Sequence, residues 1–220
     1  PSIVIASPVD HSYFGPQHGD TFAVTGSFTA ADGARLEVNG VPATVSGTTY
    51  SAPAVPFLAL AAGVTPVVAR VTDPDGKSAF ATIVVTRLTA APRVIEAFPA
   101  NNATEVDPGA LELVLFSAPM DRTTLAAAFR LEEVGGSAIT GVLNLDKDVL
   151  TFAPATLLER GKSYRIVVTT AAKDLAGSAL EAEFTSTFTV AASAATTAPS
   201  GGPIARVICG GSLEVAGTAT

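Results

Sequence analysis

Two histidines, His11 and His18, lie in a segment rich in turn residues (8–20) that also carries Asp10 and Asp20. Imidazole nitrogens and carboxylate oxygens bind zinc and nickel, so these side chains could form a metal site. Their spacing matches no recognised ligand motif, and loops commonly collect aspartate and histidine. The pattern therefore favours an ordinary loop over a metal centre.

Aspartates in two further turns could offer oxygen ligands to calcium. Asp73 and Asp75 belong to an Asp-Pro-Asp-Gly stretch, and Asp146 and Asp148 flank a lysine. Neither stretch contains a full acidic calcium-binding loop, and turn chemistry explains both. We therefore predict no cofactor, with calcium at Asp73 and Asp75 as the alternative.

Neighbouring glutamates, Glu132 with Glu133 and Glu181 with Glu183, could suggest the carboxylate pair of a glycosidase. Such pairs come from separate strands at defined distances, whereas charges along one strand usually face solvent. The sequence contains no Gly-x-Ser-x-Gly motif, phosphate-binding loop or Cys-His pair. We predict no catalytic residues and no enzyme activity.

Tyr13 and Phe14, beside His11, form the best candidate for a ligand-binding loop. Aromatic side chains commonly form the platforms on which sugars stack. The absence of tryptophan weakens this interpretation, and packing beneath the loop is the alternative.

Composition excludes several classes of partner. The formal net charge is -7, and nucleic acids and anionic membranes require basic patches. No apolar run reaches the roughly 18–20 residues of a membrane helix, so we expect no membrane insertion.

The chain begins at Pro1 without a leader, which suggests a mature product or an excised piece. The sequence has one cysteine, Cys209. We expect it to be a small buried apolar side chain, with a disulfide bridge between two chains as the alternative.

Apolar and polar residues alternate in the first half of the sequence, as they do in β-strands. In residues 21–29 Phe22, Val24, Gly26 and Phe28 share one side. Asn39-Gly40 between alternating runs is a strong hairpin signal, and the Asp-Pro-Asp-Gly stretch predicts a second turn. About seven short strands with such turns predict a β-sandwich over residues 1–88.

The second half follows the same logic over residues 92–190. In residues 111–121 Leu111, Leu113 and Leu115 lie on one side, with Glu112, Val114 and Phe116 on the other. A short helix should follow from residue 121. Tyr164 starts a later strand and predicts a tyrosine corner, with a buried ring and a hydroxyl bonded to backbone upstream.

Residues 191–202 are low in complexity and carry no large apolar side chain, so they predict a flexible linker. Residues 203–220 are too few for a domain. They predict the start of a further module or a pairing strand, and residues 204–208, if ordered, would lie along an exposed sheet edge of this copy or of a neighbouring one. The predicted fold is all-β, with two tandem β-sandwiches, a linker and an extra strand.

Four stretches of the second half, in order, resemble a bacterial immunoglobulin-like (Ig-like) domain found in tandem on large exported proteins. They are residues 98–106, the Phe-Ser-x-Pro-Met-Asp stretch at 116–121, residues 150–161, and the Asp-x-x-Gly loop at 173–180, where Ser178 replaces the usual asparagine. The first half resembles a different bacterial Ig-like module through residues 38–43 and 71–76.

This resemblance implies an extracellular or cell-surface bacterial setting and a non-catalytic structural spacer, with neighbouring modules of the same polypeptide as partners. Two alternatives stay open. One is an adhesion module that binds a protein or glycan ligand, and the other is an accessory domain of a polysaccharide-acting enzyme.

Overall fold

The computed structural model describes residues 1–58 and 62–193, together with the backbone of residues 205–208 and 212–215. Most of the described chain is strand, with one short α-helix and one 3-10 turn. The all-β prediction is therefore confirmed. Among the described helices none has the length and apolar character to cross a membrane.

Nine strands and the 3-10 turn make up the first half. They are β1 Ser2–Ser7, β2 Ser12–Phe14, the 3-10 turn Pro16–His18, β3 Thr21–Thr29, β4 Arg35–Val38, β5 Val41–Pro42, β6 Thr44–Ser46, β7 Thr49–Pro56, β8 Gly63–Thr72 and β9 Ser78–Arg87. One sheet has the order β1-β3-β7-β6, and the other has the order β2-β9-β8-β4-β5. A hydrophobic core that includes Phe22, Val24, Tyr50, Val67 and Val85 lies between them.

Strand β3 shows how the apolar alternation creates this core. Phe22, Val24 and Gly26 are buried as predicted, with Phe28 half-buried. Gly26 is required by close approach, because a Cβ atom there would overlap the Val4 carbonyl oxygen and stand 2.7 Å from the Tyr50 ring. The ring of Tyr50 lies over this gap, and its hydroxyl donates to Val4 O at 3.2 Å.

Both predicted turns form. Asn39 and Gly40 have positive φ angles of 46° and 80°, and they connect β4 to β5. The 73–76 turn joins β8 to β9, with Gly76 N donating to Asp73 O at 2.9 Å. Proline cannot donate to a ladder and usually interrupts a strand, but β7 continues past Pro53. The register between β3 and β7 shifts there, so the proline falls in an irregular stretch of the ladder.

Eight strands and a helix make up the second half. They are β10 Val94–Phe98, β11 Ala103–Val106, β12 Glu112–Phe116, α1 Arg122–Ala128, β13 Phe129–Glu133, β14 Gly141–Asp146, β15 Val149–Pro154, β16 Ser163–Val168 and β17 Phe184–Val190. One sheet has the order β10-β12-β15-β14 and the other β11-β17-β16-β13. A second, separate core with Val114, Phe116, Leu131, Ile166 and Phe188 lies between them.

Two local predictions of this half are confirmed. Helix α1 begins after Asp121, whose side chain accepts a hydrogen bond from Thr123 N at 2.9 Å and so caps the helix. Tyr164 is 2% exposed, and its hydroxyl accepts from Glu159 N at 2.8 Å, five residues upstream. This contact is the predicted tyrosine corner.

The described part of the tail does not pair with an edge of a larger sheet within this chain, and pairing with a neighbouring copy stays a prediction. Strand β18 Ala205–Ile208 pairs with β19 Ser212–Val215 in a separate two-stranded sheet, and neither lies along an edge of the four larger sheets. The sequence separates these runs by three residues, so the nearest partner for each is the other. Most of the predicted linker 191–202, and Cys209, lie outside the described residues.

Candidate functional site

The loop of residues 8–20 is packed against the end of the first sandwich. Strand β2 runs parallel to β9, and Asp10 Oδ1 accepts from Val84 N at 2.8 Å. That hydrogen bond holds the pKa of the Asp10 carboxyl below its usual value. Phe14 lies in an aromatic cluster with Phe22 and Phe57, with ring centres 4.7–5.6 Å apart. These contacts give the loop a defined conformation, and it lies next to residue 88, where the chain leaves this sandwich.

The connection between the two sandwiches is tied at both ends. Leu88 N donates to Phe14 O at 2.7 Å on the first side. On the second side Pro92 O accepts from Glu181 N at 2.8 Å, and Arg93 and Ser117 exchange two hydrogen bonds of 2.9 and 3.0 Å. Pro92 is buried. These bonds limit the freedom of the short segment between them.

Gln17, in the 3-10 turn, makes a direct side-chain contact across this connection. Its Nε2 donates to Ala176 O at 2.8 Å, and its Oε1 accepts from the Ser178 hydroxyl at 3.1 Å. Both ends of one planar amide are thus used on the same loop of the second sandwich. We call Gln17, Ala176 and Ser178 the amide clamp.

Gly15 makes room for the amide clamp. A Cβ atom there would stand 2.6 Å from Ser178 Oγ and closer still to Gln17 Oε1. The backbone of Gly15 has φ −90° and ψ −179°, which any residue adopts. Glycine is therefore needed at this position for space and not for backbone conformation.

Asp174 holds the loop that receives Gln17. It is 1% exposed, and its Oδ1 accepts from Ala176 N at 3.0 Å and from Ser178 N at 2.8 Å. Its Oδ2 is buried with no hydrogen-bond partner among the described residues. Burial raises the pKa of this carboxyl, although the Ser178 and Ala176 amides oppose the change. Asp174 thus fixes the positions of Ala176, whose carbonyl oxygen accepts from Gln17, and of Ser178, whose hydroxyl donates to it.

A second buried carboxyl lies in the core of the second sandwich. Glu112 is 0% exposed, on the same side of β12 as Val114 and Phe116 and opposite Phe152 of β15. Neither of its carboxylate oxygens has a hydrogen-bond partner within the described chain. Burial raises its pKa from 4.5 to about 7. The buried side of β12 is therefore the side with the glutamate, and Leu111 is 55% exposed.

The structure does not bring the predicted metal ligands together. The ring of His11 is largely exposed and faces Asp10 at 3.2 Å, whereas His18 packs edge-on against Phe14 at 5.1 Å. Asp73 Oδ1 accepts from Ala31 N, and Asp75 pairs with Lys77 at 2.8 Å. Within residues 1–58 and 62–193 no three histidines, cysteines or acidic residues are grouped as a metal site.

The other candidates occupy ordinary positions. Tyr13 is half-buried in β2, so the proposal that Tyr13 and Phe14 bind a ligand stays a prediction. Glu132 pairs with Arg130 and Arg165, and Glu133 pairs with Lys162. Glu181 and Glu183 are exposed.

Sequence reasoning missed Gln17 and Gly15 because both lie in a segment that contains only turn signals. Nothing in the spacing of Gln17 shows that its partners are about 160 residues away. Glu112 gave a detectable signal, since it is the only charged residue on its side of a run that is otherwise apolar.

Residues 88–190 match the family model described as the bacterial Ig-like domain. This part of the chain is a bacterial Ig-like domain, as its four sequence motifs indicated. A search of curated proteins found no match.

Solved structures with similar folds include three bacterial proteins. The N-terminal part of the S-layer protein SbsC is 22% identical with a TM-score of 0.36, covering 46% of this chain and 24% of that one. L,D-transpeptidase 1 from Mycobacterium tuberculosis is 18% identical with a TM-score of 0.32, covering 46% and 39%. CopC from Methylosinus trichosporium OB3b is 15% identical with a TM-score of 0.36, covering 46% and 93%. The chain thus spans well under half the length of the first two.

Proposed function

We propose that the chain is a non-catalytic spacer in a larger bacterial cell-surface or secreted protein, with adjoining modules of the same polypeptide as its partners. The amide clamp is the observation that carries this proposal. A spacer of fixed geometry needs its modules to be connected without free rotation, and short tied connections supply that. The bacterial Ig-like domain at residues 88–190 supports the surface setting.

The clamp acts together with the connection. Leu88 and Pro92 tie the chain at its two ends, whereas Gln17 makes a third contact away from the covalent path. Three points of attachment define an orientation, which two points along one chain do not. Each hydrogen bond contributes only about 1 kcal/mol, so the contacts restrict motion mainly by acting together.

The test compares the alignment of the two sandwiches by residual dipolar couplings of backbone amides in the full chain. If the connection is stiff, the couplings of both sandwiches fit one alignment tensor. Gly15→Ala should displace the Gln17 amide without disturbing φ and ψ, so the two fitted tensors should then differ in magnitude. Gly136→Ala is the matched control, because it adds the same methyl group in a loop near Glu133, away from the clamp.

Two results would contradict the proposal. Wild-type protein with two different tensors would show free reorientation of the modules. Equal effects of Gly15→Ala and Gly136→Ala would show that the clamp does not set the orientation.

A further inference from the structure

A cavity of about 520 Å³ lies beside strands β4, β5 and β8 of the first sandwich. Arg35 and Glu37 of β4, Pro42 of β5 and Arg70 and Thr72 of β8 line it, together with Val45. Its volume falls in the range of small-molecule sites, roughly 300–1,000 Å³.

Strand pairing explains why the two arginines meet here. Arg35 is opposite Thr72, and Glu37 is opposite Arg70, in the antiparallel ladder of β4 and β8. Leu36 and Val71 point into the core, so their neighbours along each strand point outward on the same face. Arg35 and Arg70 are therefore diagonal neighbours across two strands, within reach of one ligand.

Arg35 is available to a ligand. Lysine and arginine number four in residues 1–88: Arg35, Arg70, Lys77 and Arg87. Lys77 pairs with Asp75, and Arg87 pairs with Asp20. Arg35 is exposed, and its guanidinium makes no hydrogen bond or ion pair with any side chain in the described part of the chain. An unpaired arginine in an acidic protein leaves its charge for an external partner.

The guanidinium of Arg70 is held in place, but its contacts do not use its full hydrogen-bonding capacity. Its guanidinium carbon lies 5.6 Å from the centre of the Phe80 ring, which is 60% exposed. Its contacts to Ser78 Oγ are 3.3 and 3.4 Å, and its distance to Glu37 Oε1 is 3.7 Å. Charge-assisted hydrogen bonds are typically about 2.7–2.9 Å. These long contacts orient the guanidinium, and it can still form a shorter hydrogen bond to an anion.

We propose that this cavity binds a carboxylate-bearing saccharide, such as a chain of uronic acid residues. Arg35 and Arg70 would bind the sugar carboxylate, because planar guanidinium groups match carboxylate geometry. Glu37 and Thr72, which also line the cavity, would accept hydrogen bonds from the ring hydroxyls. The site goes beyond the spacer role and does not depend on it.

Glu37 distinguishes this ligand from a simple polyanion. A carboxylate beside two arginines opposes dense negative charge, because like charges repel at this range. It favours a ligand that combines one carboxylate per unit with hydroxyl donors. Uronic acid residues have that combination, whereas an acidic peptide presents carboxylates without hydroxyl groups.

The experiment titrates the full chain with trigalacturonic acid and follows backbone amide shifts by NMR. We expect saturable shifts that centre on Arg35, Arg70 and Thr72. Arg35→Gln should weaken binding about tenfold or more, as expected for loss of one charge-assisted hydrogen bond of about 1.5 kcal/mol or more. Lys77→Gln, the matched control, removes the same charge outside the cavity and should change affinity less than about twofold.

Four results would overturn the proposal. They are shifts that do not saturate by about 10 mM, equal weakening by Arg35→Gln and Lys77→Gln, equal binding of neutral galactotriose, and equal binding of a triglutamate peptide. The last would mean that the cavity recognises charge alone. Arg70→Gln gives a second variant, and unchanged amide signals at Val24 and Val67 would show that the core stays intact.

Discussion

The buried carboxyl of Glu112 should make the second sandwich less stable as the pH rises. Both oxygens lack hydrogen-bond partners in the described chain, and burial raises the pKa to about 7 from 4.5. The unfolded chain therefore releases this proton first as the pH increases. Between about pH 4.5 and 7 the native state binds more protons than the unfolded state, so the free energy of unfolding falls through that interval.

The magnitude follows from the difference between the two pKa values. A difference of about 2.5 units at about 1.36 kcal/mol each gives about 3 kcal/mol of lost stability above pH 7. At pH 4 both states bind the proton, so the loss should be close to zero. Replacing the carboxyl by an apolar side chain of similar size removes the penalty.

Glu112→Leu should therefore stabilise the second sandwich by about 3 kcal/mol at pH 8, on the order of 12 °C or more in its midpoint. At pH 4 the pH-dependent part of this gain should vanish. Thermal unfolding followed by the amide signals of Val114 and Ile166 reports this sandwich alone. Glu96→Gln is the control, because Glu96 is exposed on the neighbouring strand β10.

The decisive quantity is the stability difference between Glu112→Leu and wild type at the two pH values. A constant difference would refute the reasoning, since it would mean that Glu112 carries the same proton in both states throughout. A change of the same size in Glu96→Gln would assign the effect to net charge instead of burial.

Two further substitutions test the packing of each sandwich. Gly26→Ala should destabilise the first sandwich by about 3 kcal/mol or more, because the new methyl group overlaps Val4 O and the Tyr50 ring. Urea unfolding measures the loss of stability. A loss smaller than that of Gly136→Ala would contradict the prediction. Tyr164→Phe should cost the second sandwich about 1–2 kcal/mol, because Glu159 N loses its acceptor. Amide exchange at Glu159 should speed up, and unchanged exchange there would contradict the predicted corner.

Local rules predicted the elements of the fold well. The alternation in β3 identified its buried side, and Asn39-Gly40 and the 73–76 turn identified two hairpins, because period and turn chemistry are encoded within a few residues. The apolar alternation of residues 41–45 is typical of one continuous strand. The chain instead pairs β5 with β4 and β6 with β7 in different sheets, and a local pattern does not show which sheet supplies a partner.

The candidate sites were less predictable, because they depend on contacts between distant residues. Gln17 and Ser178 meet only after both sandwiches have formed, and Arg35 comes near Arg70 only through the pairing of β4 with β8. Glu112 presents the opposite difficulty. Its position on the buried side could be deduced from the two-residue period, but the apolar rule for such positions predicts a different residue type.

Fold stability and module orientation should respond to different substitutions in this chain. The two hydrophobic cores share no residue, so each sandwich is stabilised by its own interior. Between them, the amide clamp contributes two side-chain hydrogen bonds, each of about 1 kcal/mol. A substitution such as Gly15→Ala can therefore release the orientation while both cores stay folded. Core positions such as Gly26 and Glu112 instead change stability within one sandwich, and they leave the clamp residues in place.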